Sequence, residues 1–461
     1  MTDDLLVHGM GRELVAPDWP ALTLPEVTAL LRQYGLSARR LLWLSPRPLS
    51  AAAVVQTDRR AVFVKRHSSV VRTVNGLAEE HAFADHLRER GIPVPAVLTD
   101  QHGLRAIAIG PWTYEVHEQG RGADTYRDVP SWEPFLSCAD SFATGAMLAR
   151  IALAAAGFDA PTRRPQLLVA SAGAILAPDL LPALEQHVRA RPLLQAALRG
   201  RDWRADVERL LVPLHARLVP HLEGLATGWT HGDGHASNFM WRGSQVSDVL
   251  DLGLSDRTTP LFDLASAIER HCIGWLDPMP MVRFDFLAAL LAGWSSVRPI
   301  NARDAAALAA LVPLVHVEFA LSELAYFDRV TGSAQHAQLA YDGYLLGHAR
   351  WFASEPGTEL CQLLGESAVA GLPELHRALE DAGDVVLGDL AGTGRQQPLL
   401  LHRAVDQVAD VAVTEADGGD AVGNVDVTHE RGEHRRQELS QVGRPVRAGR
   451  QQLGGPDMAL R

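Results

Sequence analysis

Apolar residues in ALTLPEVTALLRQYG, residues 21–35, recur at helical spacing and stop at Gly35, which predicts one amphipathic helix. The period then changes. LLWL, AAVVQT and AVFVKR read as β-strands, with TDRR as a turn between the last two. LAEEHAFADHLRERG returns to helical spacing and ends at Gly91, ahead of a Pro-Val-Pro stop. AVLTDQHGLRAIAIG and TYEVHEQ predict two more strands around turns. After the opening helix, the order over roughly the first 120 residues is therefore β-β-β-α-β-β.

From about Asp140 to Glu223 the pattern predicts helices, with Ala/Leu/Arg-rich segments broken at Pro161, Pro165 and Pro192. WTHGDGHASNFMWRGSQVSDVLDLGLSD interrupts them. Its short apolar pieces between Gly and Asn turns predict a loop followed by a short β-hairpin. DLASAIERHCIGWL and the segments to about Trp351 are helical again. Residues 353–461 hold no Phe, Trp or Tyr, which leaves little with which to build a core, so a disordered or loosely packed tail is expected there.

Composition narrows the function. The 461 residues are 47% hydrophobic and 21% charged, enough for two or three domains with an ample core. A net charge of −12 disfavours nucleic acid and anionic membrane as partners. It does not disfavour a nucleotide, because a phosphate pocket needs only a few local cations and a metal. The acidic start has no apolar run of a secretory signal, and FDFLAALLAGW and AAALAALVPLVHVEFALSEL read as core helices rather than membrane spans. Cys138, Cys272 and Cys361 lie far apart and form no redox or metal pair, which fits a reducing, cytoplasmic setting. Lys65 is the single lysine among 43 basic residues. A GC-rich coding bias toward arginine accounts for the rest and makes that lysine a candidate for a particular role.

The densest chemistry is THGDGHASNFMWRGSQVSDVLDLGLSDRTTPLFDLA. Asp233 and Asn238 stand five apart, and Asp251 follows thirteen later at the end of an apolar strand. Phosphoryl transfer asks for this inventory. One carboxylate orients the attacking hydroxyl and accepts its proton, while a second carboxylate and an amide oxygen hold Mg²⁺ against the phosphates.

HGDGHASN followed by VLDLGL resembles the H-G-D-x-x-x-x-N … D pattern of the aminoglycoside phosphotransferase and choline kinase superfamily. The resemblance implies Asp233 as catalytic base, Asn238 and Asp251 as magnesium ligands, and His231 and Asp263 as supports of the loop. Lys65 in AVFVKRH resembles the strand lysine that grips the α- and β-phosphates, and Glu80 resembles the helix glutamate ahead of a G-x-P-V-P turn, here GIPVP. A Glu80–Lys65 ion pair is the expectation, with Glu79 as the adjacent alternative. TYEVHEQG resembles the hinge strand that meets the nucleotide base. SPRPLSAA, between the first two strands, has no glycine and departs from a Gly-rich phosphate cover.

The implied fold is α+β, a protein-kinase-like bilobal architecture. Residues 1–40 form an extension and helix, 41–118 a small β-rich, nucleotide-binding N-lobe, 119–355 a larger helical C-lobe with the catalytic and acceptor sites, and 356–461 the tail. The implied function is ATP- or GTP-dependent transfer of the γ-phosphoryl group to a hydroxyl of an amino sugar, amino alcohol or hydroxy amino acid. A nucleotide-binding pseudokinase with a scaffold role is the alternative, and ADP release separates the two. Glu115, Glu118, Asp124 and Asp128 near the hinge are candidate partners for an acceptor amine.

Overall fold

The computed structural model describes residues 17–370. Thr23 and Glu26 form a capping box that starts α1 (Leu24–Arg32), whose Val27, Leu30 and Leu31 are buried. Next come β1 (Ala38–Leu44), β2 (Ala51–Thr57) and β3 (Ala61–Ser68), then α2 (Val74–Glu89), β4 (Ala106–Ile109) and β5 (Trp112–Glu118). The strands form one antiparallel sheet in the order β1-β2-β3-β5-β4. Alternating Val55, Val62, Val64 and Val116 face α1 in a small core of their own. The expected helix and strand order holds. The expected boundaries shift, because α1 sits in the N-lobe core rather than in an extension before it. Similarly, α2 buries Phe83 and Leu87 in the larger core, where Phe83 meets Phe158 and Trp229 at 5.2 and 5.4 Å between centroids.

The larger unit begins with α3 (Cys138–Ala154), followed by α4 (Leu180–Arg189), α5 (Pro192–Ala197), α6 (Trp203–Asp206) and α7 (Val212–Leu218). Two small antiparallel ribbons follow, β6 (Gly228–Thr230) with β9 (Asp256–Thr258), and β7 (Phe239–Arg242) with β8 (Gln245–Val249). Helices α8 (Phe262–His271), α9 (Phe284–Val297), α10 (Ala302–Leu311), α11 (Val317–Tyr326), α12 (Ala334–Gln338), α13 (Leu346–Phe352) and α14 (Glu355–Ala370) complete it. Helices α3 and α9 cross in backbone contact. A Cβ at Gly145 would lie 2.1 Å from the Leu290 carbonyl oxygen, and one at Gly293 would lie 1.9 Å from that of Phe142. The segment Ala302–Thr331 is apolar and long enough to cross a membrane by composition. Its most apolar window is 89% buried inside the fold, as a core helix is.

Two expectations are corrected. Residues 155–179 are not helical apart from isolated turns. Pro161 and Pro165 interrupt the segment, and the carbonyls of Leu167 and Leu168 accept bonds from Arg72 instead of from a helix. The start of the expected tail is helix α14, which packs on α10 and buries Leu360, Cys361 and Leu364. Aliphatic side chains make that contact without an aromatic anchor. The rest of the expected tail, from 371, lies outside the described residues.

Candidate active site

The loop His231–Asn238 leaves β6 with its backbone already bound. Asp263, in the first turn of α8, accepts from the amides of His231 and Gly232 at 2.8 Å each. Gly232 takes φ +78°, and a Cβ there would stand 2.4 Å from the Leu254 carbonyl oxygen, so only glycine fits. His231 donates from Nε2 to the Leu250 carbonyl at 2.9 Å and accepts the Asp233 amide at Nδ1, a single tautomer that ties the loop to the β8 exit.

The loop presents Asp233 with both carboxylate oxygens engaged. Oδ1 accepts from Arg270 at 2.9 Å, and Oδ2 accepts from the Asn238 amide at 2.9 Å with His235 Nε2 at 3.3 Å. Burial works to raise the carboxyl, yet His235 and Arg270 outweigh it and hold Asp233 well below the ordinary carboxylate range. Burial also lowers His235, which favours its neutral form. Asn238 spends its Nδ2 on the backbone carbonyl and carboxylate of Asp233, which turns its amide oxygen to the other side. The Asn238 carbonyl then receives the Leu250 amide at 2.8 Å, next to Asp251.

Asp251 adopts the left-handed conformation, φ +53° and ψ +65°. Its Oδ1 lies 2.8 Å from Lys65 Nζ, the contact that joins β3 to the exit of β8. Burial lowers the Lys65 pKa, but Asp251 and Glu115 more than offset this and keep it raised, so the amine is charged. Asp233, Asn238, Asp251 and Lys65 are thus brought together, with His231 and Asp263 beneath them.

Glu80 is not brought to Lys65. Its Oε1 lies 2.8 Å from Arg72 Nε and 2.7 Å from Arg163 Nη2, all three side chains being buried. Two guanidiniums in a dry site outcompete one ammonium that Asp251 already holds. Glu79 does not take its place, since it faces Arg163 at 3.3 Å. Among the hinge acids, Glu115 is likewise withdrawn, its carboxylate held by His67, His81 and His117.

Arg270 was absent from the sequence-based set, although a signal for it exists. It stands seven residues after Asp263, two helical turns along the same face of α8. Its guanidinium lies 4.2 Å from the centroid of the Trp132 ring, a cation–π seat that fixes it beside Asp233. A small, partly open cavity lies there, lined by Asp233, Arg270, Glu269, Ala170, Phe319 and Tyr344. Burial pushes Glu269 up to about 7 and the neighbouring buried Glu323 of α11 up to about 8, with the Arg270 charge opposing the shift in both.

The family model described as phosphotransferase enzyme family matches residues 50–300, from β2 through the catalytic loop and α9. The chain is 28% identical over 243 residues to a homoserine kinase of Polaromonas naphthalenivorans, covering 52% of this chain and 67% of that one. It is 26% identical over 244 residues to a homoserine kinase of Methylocella silvestris, with 52% and 66% covered. The match therefore spans about two thirds of the length of these curated relatives. Among solved structures, a microcompartment-associated aminopropanol kinase superposes with a TM-score of 0.50 at 18% identity, over 73% of this chain and all of that one. Its likeness supports the protein-kinase-like bilobal fold. The chain belongs to the phosphotransferase enzyme family and is a small-molecule kinase that phosphorylates a hydroxyl group.

Proposed function

We propose that this enzyme transfers the γ-phosphoryl group of ATP or GTP to the side-chain hydroxyl of a small hydroxy amino acid. The observation that carries the reading is Arg270, a fixed cation beside the base carboxylate in a cavity lined also by the buried Glu269, with the buried Glu323 nearby. An aminoglycoside-type polycation offers no anion for such an arginine, whereas an amino acid offers a carboxylate for Arg270 and an ammonium for Glu323 or Glu269. The homoserine kinase names among the relatives favour the same class.

Asp233 is the base. It is ionised at neutral pH, and Asn238 and Arg270 orient it toward the cavity, where it aligns the acceptor hydroxyl and takes its proton. Lys65 serves as a compact cation for the α- and β-phosphates, reached by exchanging part of its contact with Asp251. Asn238 and Asp251 fit Mg²⁺ by donor chemistry, since both offer hard oxygens and the Asn238 amide nitrogen is already committed elsewhere. Magnesium, when bound with the nucleotide, neutralises charge on the β- and γ-phosphates. His231 and Asp263 hold the loop and touch neither substrate.

The test is coupled ADP release by the purified chain with ATP and GTP, comparing a hydroxy amino acid, the amino alcohol lacking its carboxylate, and amino sugars. The hydroxy amino acid should be preferred, and Arg270→Met should erase that preference over the amino alcohol. Preference for amino sugars that Arg270→Met leaves intact would overturn the acceptor assignment.

A further inference from the structure

Glu115 on β5 is buried, and the Nε2 atoms of three histidines from separate positions converge on it. His67 of β3 lies 2.9 Å from Oε1, while His81 of α2 and His117 of β5 lie 2.7 and 3.0 Å from Oε2. The sheet explains two of these. His117 is two residues along β5 from Glu115 and so shares its face. The register sets Lys65 opposite Glu115 and His67 opposite Thr113, which puts His67 diagonally across on that face too. His81 descends from α2 to complete the group.

We propose that His81, His117 and Glu115 bind a divalent cation of the zinc class, with His67 as the outer residue that orients the carboxylate. One ligand atom from each of the three residues lies within 4.8 Å of the other two. A tetrahedral zinc site needs its ligand atoms roughly 3.3 Å apart, given metal–ligand distances of about 2.0–2.1 Å, so small side-chain adjustments suffice. Nitrogen donors and one carboxylate suit zinc, in contrast to the all-oxygen pair Asn238 and Asp251. The carboxylate oxygen not taken by the metal already has its partner in His67, the kind of outer contact that fixes a ligating group.

Two features bear on whether a cation is tolerated. Lys65, on the neighbouring strand, and Arg72 are the opposing charges; Asp251 engages the Lys65 ammonium at 2.8 Å, and Glu80 engages Arg72 at 2.8 Å. His117 keeps 23% of its side chain exposed, which gives an entry path and leaves a fourth position for water. A second close group, Glu269, His316 and His348, is almost wholly buried, and its glutamate borders the acceptor cavity already described. Its members are at most 3% exposed, and His348 is stacked on Trp275 at 3.7 Å. Bound at the first group, the metal cross-links α2 to β5 within the nucleotide lobe. This site is independent of the acceptor reading.

The experiment uses the untagged chain, stripped with chelator and titrated with Co²⁺, with ligand-field absorption as the readout and Zn²⁺ as competitor. One tight, zinc-displaceable site is expected. His81→Ala and His117→Ala should each weaken it by about 100-fold, and His67→Ala by about 10-fold. His316→Ala should leave it unchanged. His117→Gln, at a partly exposed position, supplies a folded variant if the buried His81→Ala does not fold. Zn²⁺ should raise the melting temperature of the parent and not of His117→Gln. No cobalt band, or a His117→Gln titration that superimposes on the parent, overturns the proposal.

Discussion

Replacing Glu80 with Gln separates two accounts of this residue. In the structure its carboxylate neutralises Arg72 and Arg163, whose side chains are 4% and 0% exposed. Glutamine keeps the shape and one acceptor oxygen but removes the charge. Arg72 is then left with the carbonyls of Val71, Leu167, Leu168 and Gly253. Arg163 keeps the carbonyls of Gly253, Ser255 and Gly76, and the half-buried Glu79. Breaking a buried pair from one side costs about 3–5 kcal/mol. Glu79 and the retained amide oxygen put this case near the lower end, about 3 kcal/mol. At about 2 °C per kcal/mol for a large chain, melting falls by roughly 6 °C. A helix glutamate that acted by steadying Lys65 would behave differently, costing little stability and raising the nucleotide KM. Differential scanning fluorimetry and nucleotide KM, measured well below the melting point, distinguish them. A Glu80→Gln protein that melts with the parent but has a KM raised about tenfold or more refutes the arginine account.

Asp233→Asn should lose nearly all phosphoryl transfer while nucleotide affinity stays close to the parent's; turnover within a few-fold would remove Asp233 as base. Lys65→Arg should be strongly impaired despite its charge, and an acyl-phosphate ATP analogue should label Lys65 in competition with ATP, because a planar fork cannot replace a compact ammonium; full activity in the variant would place the phosphate site elsewhere. Glu323 is protonated below about pH 8, and an ammonium favours its ionised form, so acceptor KM should fall as pH rises toward about 8 and then level. Glu323→Gln should flatten that limb, and an unchanged profile would exclude Glu323 from acceptor binding. Ending the chain after about residue 380 should preserve activity and melting temperature. Ending it at 354 should lower the melting temperature, since α14 buries Leu360 and Leu364; equal melting of the two truncations would show α14 to be dispensable.

What was legible in the sequence was local. The strand order followed from alternation and turn residues within a few positions of each other. The catalytic block was legible because Asp233, Asn238 and Asp251 lie within nineteen residues, on one loop and the hairpin after it, in an order that resembles the family motif. The pairing of Glu80 was not local. Its competitors are Arg72, just before α2, and Arg163, in a segment whose pattern predicted a helix. Nothing in the periodicity of α2 distinguishes a glutamate facing Lys65 from one facing those arginines. Residues 155–179 were misread because their apolar, Ala-rich composition suits a helix, while their backbone is spent on Arg72 and on the Leu254 carbonyl that receives the Ala170 amide. Helix α14 was missed because absent aromatics were taken to mean an absent core.

The arginine arrangement preserves a coupling that a direct glutamate–lysine pair supplies in the expected pattern. Arg72 Nη2 and Arg163 Nη1 both donate to the Gly253 carbonyl, at 2.7 and 2.9 Å, two residues beyond Asp251. Asp251 is one of only three non-glycine residues with positive φ among those described, a conformation that costs of order 1–3 kcal/mol and needs surroundings that enforce it. Lys65 restrains its carboxylate, and the two arginines restrain the backbone just after it. Glu80 holds both arginines, and it rides on α2. Displacing α2 therefore slackens the clamp on Gly253 and frees Asp251 to relax toward an ordinary conformation. The helix is thus linked to the metal-ligand candidate through main chain rather than through a Glu80–Lys65 ion pair.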